Sequence, residues 1–149
     1  MRVILQRSLN SNVIINNKVN GSIDHGYVIL VGFTHDDNKE IVNKMINKII
    51  NLRVFEDENE KMNLSILDTK GSVLSISQFT LYANTSEGRR PSFTDAMNPE
   101  EATKLNDYFN NELSKILHVE TGIFGADMKV SITNDGPVTI FLDSKQFCK

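Results

Sequence analysis

The chain has a single cysteine, Cys148, close to its C-terminal end. Without a second thiol, neither a disulfide framework nor a cysteine-rich metal site can form within one chain, and a reducing compartment suits it. Long hydrophobic runs are missing too: no stretch approaches the ~20 apolar residues a membrane span needs. The opening "MRVILQRSLNSN" is a short apolar alternation, not the continuous apolar core of a targeting segment. A cytoplasmic location and no membrane partner are the expectation. Nor is there an excess of charge of one sign. Sixteen Lys and Arg stand against 19 Asp and Glu, a formal net charge of −3. That excludes the broad nucleic-acid binding of a strongly basic domain, DNA included, and leaves room only for a local basic patch.

Low-complexity segments, linkers and blocks of like charge are also lacking, so the 149 residues read as one domain, 1–149. A domain of this size buries roughly 70% of the surface its unfolded chain exposes and folds without staples. Standard catalytic signatures are absent as well: there is no G-x-S-x-G elbow, Walker loop or G-x-G-x-x-G. The three histidines, His25, His35 and His118, have no metal-ligand spacing, and Cys148 sits too near the end of the chain for a credible nucleophile. No metal and no cofactor are expected.

What is present is a mixture of periodicities. Residues 2–7 alternate as a strand, 12–24 read as a hairpin turning at Asn16-Asn17, and the apolar run "YVILVGFT" at 27–34 suits a strand covered on both faces. From Ile41 the period changes to that of an amphipathic helix, with Asp37 and Glu40 as its capping box. "NPEE" announces a second helix with Asn98 at N-cap, Pro99 at N1 and Glu101 at N3. Its buried stripe is Ala102, Leu105, Phe109, Leu113 and Ile116. A strand at 72–82 lies between the helices. A hairpin pairing 128–133 with 137–142 follows them, turning at "NDGP". The class is mixed α and β, a single-domain layered sheet with two main amphipathic helices.

Two places in this layout are odd. In "SVLSISQFTLYA" the apolar residues change face between Ile76 and Phe79. A bulge or the end of regular pairing therefore falls at Ser77-Gln78 and leaves backbone N–H groups free; the plainer alternative is a strand buried on both sides. In "NDGPVTI", Pro137 removes a backbone donor at the first residue of the returning strand, so the Gly-Pro pair is either punctuation or a backbone tool. "GRRPSF" brings Arg89 and Arg90 together on a polar loop, which suits solvated charge or phosphate contacts.

The combination of "SQFTLYA" at 77–83, "GRRPSF" at 88–93, "FGADM" at 124–128, "NDGPVTIFLDS" at 134–144 and the opening "MRVILQR" resembles the D-aminoacyl-tRNA deacylase family. The resemblance runs from Met1 to about Ser144. It implies a homodimeric proofreading enzyme that hydrolyses the ester between a D-amino acid and the 3′-terminal ribose of tRNA. It also implies a cis Gly136-Pro137 pair inserted from one subunit into the other's site, where it rejects L-amino acids. Glycyl-tRNA, with no side chain to clash, is then an expected substrate. By the same resemblance Ser77, Gln78, Phe79 and Thr80 form the catalytic stretch, Phe124 and Met128 line the pocket, and Arg7 braces the Gly-Pro segment. Backbone amides near Gln78 and Phe79 would stabilise the oxyanion, and the ribose 2′-hydroxyl would help to activate water. Thr80 is the lesser candidate, because no base stands in its motif. Arg89 and Arg90 are the tRNA-binding candidates, although Glu87 precedes Gly88 where relatives commonly carry a basic residue. The tail after Ser144 has no assigned role. Two rival readings are a dimeric RNA-binding module without catalysis and an esterase acting on free D-amino acid esters.

Overall fold

Asn16 and Asn17 both adopt left-handed backbone, φ 50° and 63°, and turn strand β1 (Arg2–Ile15) into β2 (Lys18–Gly32). Asparagine tolerates that region, which is what a two-residue hairpin with the correct twist demands. The strand expected at 2–7, the hairpin expected at 12–24 and the strand expected at 27–34 thus join into two long strands of one antiparallel ladder, from Arg2↔Gly32 to Ile15↔Lys18. A computed structural model describes residues 1–148; Lys149, the last residue of the expected domain, lies outside the described residues.

The main sheet continues with β5 (Ser72–Ser77) and β6 (Val119–Thr121) parallel to β2 on one side and β7 (Lys129–Asp143) antiparallel to β1 on the other, in the order β6-β5-β2-β1-β7. A small ladder of β3 (Phe55–Glu56) and β4 (Met62–Leu64) stands apart. Helices α1 (Lys39–Asn51) and α3 (Pro99–Ser114) cover one face, where Val3, Leu5, Ile29 and Val31 meet Val42, Met45, Ile49, Phe109 and Leu113. On the opposite face Val13, Ile23, Val28, Leu74 and Ile76 form a second cluster with Met128, Val130 and Ile132. The 27–34 run is therefore covered on both sides, as its lack of alternation implies.

Helix α3 starts as its sequence dictates: the Asn98 side chain accepts the Glu101 N–H at 3.0 Å, and Pro99 is the first helical residue. The stripe ends earlier than expected. Ile116 is exposed, because the helix stops at Ser114 and the chain turns toward β6. The cap of α1 is also corrected. Asn38, not Asp37, accepts the Ile41 N–H at 3.1 Å, since Asp37 is held elsewhere. Its carboxylate takes the Thr34 N–H at 2.8 Å and pairs with the Met1 ammonium at 2.6 Å. One short helix, α2 (Ile66–Thr69), was not anticipated; a Ser65–Asp68 capping box starts it.

The largest correction concerns "NDGP". Residues 129–143 form one continuous strand instead of a hairpin, because both halves pair with β1. Ser8 faces Asn134 while Gln6 faces Thr139, so the segment between them bulges out of the ladder. Asp-Gly is a local turn signal, and pairing with one long strand, β1, both before and after it has overridden that signal.

Candidate active site

Strand β5 runs beside β2 as far as the pair Val31↔Ser77, and there its ladder ends. The Gln78 N–H still donates to the Val31 carbonyl at 2.7 Å, after which the chain coils into a single 3₁₀ turn, Phe79–Tyr82. The expected strand at 72–82 thus stops at Ser77, where its apolar phase slips. Within the turn, Leu81 N–H bonds to the Gln78 carbonyl and Ala83 N–H to the Thr80 carbonyl. The first amides of a helical turn have no internal partner. Among the described residues no acceptor takes the N–H of Phe79 or Thr80. The Gln78 amide is committed to the sheet, so the two unbonded donors lie one residue further along than the sequence places them.

These residues border a cleft of about 670 Å³ lined by Ser77, Gln78, Phe79, Phe93, Phe124 and Met128, among others. Most of that wall is apolar. Phe79 and Phe93, both more than 40% exposed, meet edge to face with ring centroids 5.0 Å apart. Met128 reaches the second apolar cluster, and Phe124 packs against the first. Thr80 is exposed outside the lining, and its Oγ1 accepts the Gln78 side-chain N–H at 2.5 Å. An amide donor cannot take a proton, so nothing bonded to Thr80 activates it as a nucleophile.

The other expected residues lie apart from this cleft in the same protomer. Gly136 and Pro137 are exposed at the crest of the β7 bulge, and the peptide between them is cis. Gly136 has φ +126°; a Cβ there would stand 2.8 Å from Val138 Cγ2 and 3.2 Å from Arg7 Nη2, so only glycine fits. Arg7, 6% exposed, holds the bulge from beneath. Its Nε donates to the Asp135 carbonyl at 3.2 Å, and Nη1 donates to the Val54 carbonyl at 2.8 Å. The Asn134 side chain closes the base of the bulge by accepting Val138 N–H at 3.1 Å and donating to Thr139 Oγ1 at 2.7 Å. Arg89 and Arg90 are exposed on a loop pinched shut by paired bonds between Asn84 and Ser92, both 2.8 Å.

Sequence reasoning assigned no role to Phe93, Met97 or the first turn of α3, all of which line the cleft. For Phe93 there was a signal: an aromatic residue ends a polar loop that offers it no core. Behind the 3₁₀ turn, Tyr82 is 5% exposed, and burial, reinforced by Asp37 and Asp143, pushes its phenol far above the usual range. Burial alone would raise Asp143. The Lys145 N–H, the hydrogen bond and charge of Arg2, and the Met1 ammonium together hold it below its ordinary value.

Comparison with known proteins bears on this arrangement. Residues 4–143 match the family model described as D-Tyr-tRNA(Tyr) deacylase. A D-aminoacyl-tRNA deacylase of Bacillus pumilus is 53% identical over 147 residues, 98% of this chain and 100% of that protein. One of Bacillus cytotoxicus is 55% identical over 146 residues, 97% of this chain and 100% of that protein. A solved structure titled c-Myc DNA Unwinding Element Binding Protein superposes with a TM-score of 0.91 at 37% identity, covering 96% of this chain and 98% of that one. The structure of a probable eukaryotic D-amino acid tRNA deacylase superposes with a TM-score of 0.83 at 16% identity, covering 95% and 97%, which speaks for the fold alone.

Proposed function

The chain belongs to the D-Tyr-tRNA(Tyr) deacylase family, and on that footing we propose that it hydrolyses the ester of D-aminoacyl-tRNA, releasing the D-amino acid and free tRNA. The observation that carries the reading is the pair of unbonded amides, Phe79 and Thr80, beside an apolar cleft with no base bonded to Thr80. Ester hydrolysis builds negative charge on the carbonyl oxygen. Donors already held in place stabilise that charge with no reorganisation at the moment of reaction. Water is the nucleophile, helped by the 2′-hydroxyl of the terminal ribose, and Ser77 positions either that water or the terminal adenosine. The side chain of Thr80 is then dispensable.

Selection against L-amino acids comes from backbone. The exposed bulge carrying Gly136 and Pro137 stands away from its own cleft and enters that of a second copy of the chain, in a homodimer. There its carbonyl groups occupy the space an L side chain would need. The bracing by Arg7 keeps the bulge from yielding. Because the enzyme rejects by a clash, it accepts many D-amino acids and also glycine. Arg89 and Arg90 hold tRNA phosphates near the aromatic edge formed by Phe79 and Phe93.

The test is the deacylation rate of matched D- and L-tyrosyl-tRNA by the purified protein, alongside free D-tyrosine methyl ester. Loss of the D ester alone among the two RNA esters, with the free ester spared, is expected. Survival of both RNA esters would leave a binding module, and cleavage of both would remove the chiral wall.

A further inference from the structure

The 3₁₀ turn that presents the Phe79 and Thr80 amides has only four residues, and no side chain caps its N-terminal end. So short a turn does not hold itself in place, because one or two internal bonds do not offset the cost of fixing its backbone. Its position must come from its neighbours. On one side β2 presses close at Gly32, where a Cβ would meet the Gln78 carbonyl oxygen at 2.9 Å and Leu81 Cβ at 3.0 Å. Glycine therefore lets the turn lie directly on the strand.

Away from β2, Phe93 meets the Phe79 ring at the start of the turn, and a side chain of β1 bears on its end. Arg2, at the start of β1, donates from Nη1 to the Leu81 carbonyl at 2.9 Å. Its guanidinium carbon lies 4.5 Å from the centroid of the Tyr82 ring, a cation–π arrangement over a buried phenol. Its Nε donates to Asp143 Oδ2 at 3.1 Å, while Asp143 Oδ1 accepts the Lys145 N–H at 3.0 Å. The planar fork is thus anchored to the end of β7 and bears on the end of the turn. A positive charge at the carbonyl end of a helical turn is also the favourable sign. Lysine could satisfy one of these contacts, but not the two separate hydrogen bonds and the stacking together.

We infer that Arg2 is a positioning residue for the deacylation, a bracket that holds the 79–82 turn against β2 so that the unbonded Phe79 and Thr80 amides stay fixed at the edge of the cleft. The inference rests on the reading of those amides as oxyanion donors. Arg2 is not among the residues that line the cleft; it acts through the turn. Misplacing such donors by a fraction of an ångström weakens the transition state more than the bound ester, so kcat carries the effect and KM does not.

The experiment compares wild type with Arg2→Met, which keeps the stem and loses the fork, and Arg2→Lys, which keeps the charge. For each, kcat and KM on D-tyrosyl-tRNA, the melting temperature, and hydrogen exchange at the Leu81 and Ala83 amides, the bonded donors of the turn, relative to Val28 and Ile29 are measured. In Arg2→Met, kcat is expected to fall roughly 10- to 100-fold with KM changed less than about twofold, and Arg2→Lys should recover part of the loss. Exchange at Leu81 and Ala83 should accelerate while the β2 amides stay protected. A folded Arg2→Met protein with unchanged kcat, or one whose loss lies entirely in KM, overturns the inference. So does a lowered melting temperature alone. Should Arg2→Met fail to fold, Arg2→Lys decides: wild-type kcat and exchange refute the bracket, and an intermediate kcat with faster turn exchange supports it. If wild type leaves D-tyrosyl-tRNA intact, it is the deacylase reading that falls, and the amide exchange still judges the bracket.

Discussion

At Phe79 two roles meet in one residue, an amide beside the cleft and a ring against Phe93. They can be separated. Proline at the first position of a helical turn removes the N–H at little backbone cost, and the extended Gln78, φ −147°, tolerates a following proline. Phe79→Pro is expected to lower kcat by about 100-fold or more, the scale of a lost oxyanion donor. Phe79→Leu keeps the amide and should lose far less. Thr80→Val, which deletes only the hydroxyl, should stay within a few-fold of wild type; single-turnover deacylation measures all three. Asp143 gives a pH prediction at the same scale. Its carboxyl is held below the ordinary 3.8, so its contribution to stability is fully present above that pH and is lost as the pH falls through the lower, folded value. The melting temperatures of wild type and Asp143→Asn should therefore differ by a constant amount at neutral pH and converge in strong acid.

Among the elements, those that local chemistry decides were legible in the sequence. Asn16-Asn17 turns a hairpin and Asn98-Pro99 starts a helix, because each needs only its own neighbours. The start of α1 was misplaced by one residue for a non-local reason. Asp37 and Asn38 are both good caps, and Asp37 is claimed by the Met1 ammonium across 36 positions of chain. Asn38→Ala is accordingly expected to cost about 1 kcal/mol, the usual worth of an N-cap, read as a shift in the urea midpoint without a change in slope. Strand β7 shows the same limit from the opposite direction. "NDGP" carries every local mark of a turn, yet β1 pairs with the chain on both sides of it and turns the signal into a bulge. The phase slip at Ser77-Gln78 was readable because it reflects where the pairing with β2 ends.

For the molecule as a whole, the residues that the motifs single out divide between two places. Ser77, Gln78, Phe79, Phe124 and Met128 gather at the cleft, whereas Gly136, Pro137 and the bracing Arg7 belong to an exposed bulge that does not line it. Periodicity cannot join the two places, since it speaks of faces and not of neighbouring molecules; only the family resemblance implies that they meet across subunits. If the bulge of one copy completes the cleft of another, the two halves can be damaged separately and restored by mixing. Gly136→Ala strains the bulge, where the added Cβ would crowd Val138 and Arg7. Phe79→Pro removes a donor from the cleft. Each homodimer should be nearly inactive on D-tyrosyl-tRNA, Phe79→Pro for want of a donor and Gly136→Ala because the displaced bulge, one wall of the partner copy's cleft, no longer seats the ester. After the two proteins are unfolded together and refolded, about half of the dimers are mixed, and each mixed dimer has one cleft free of both changes, so about a quarter of wild-type activity should return. Recovery to that level, absent when each variant is refolded alone, would place the wall and the oxyanion donors on different subunits. No recovery would mean that every chain uses its own bulge, and the selection against L-amino acids would then need a different source.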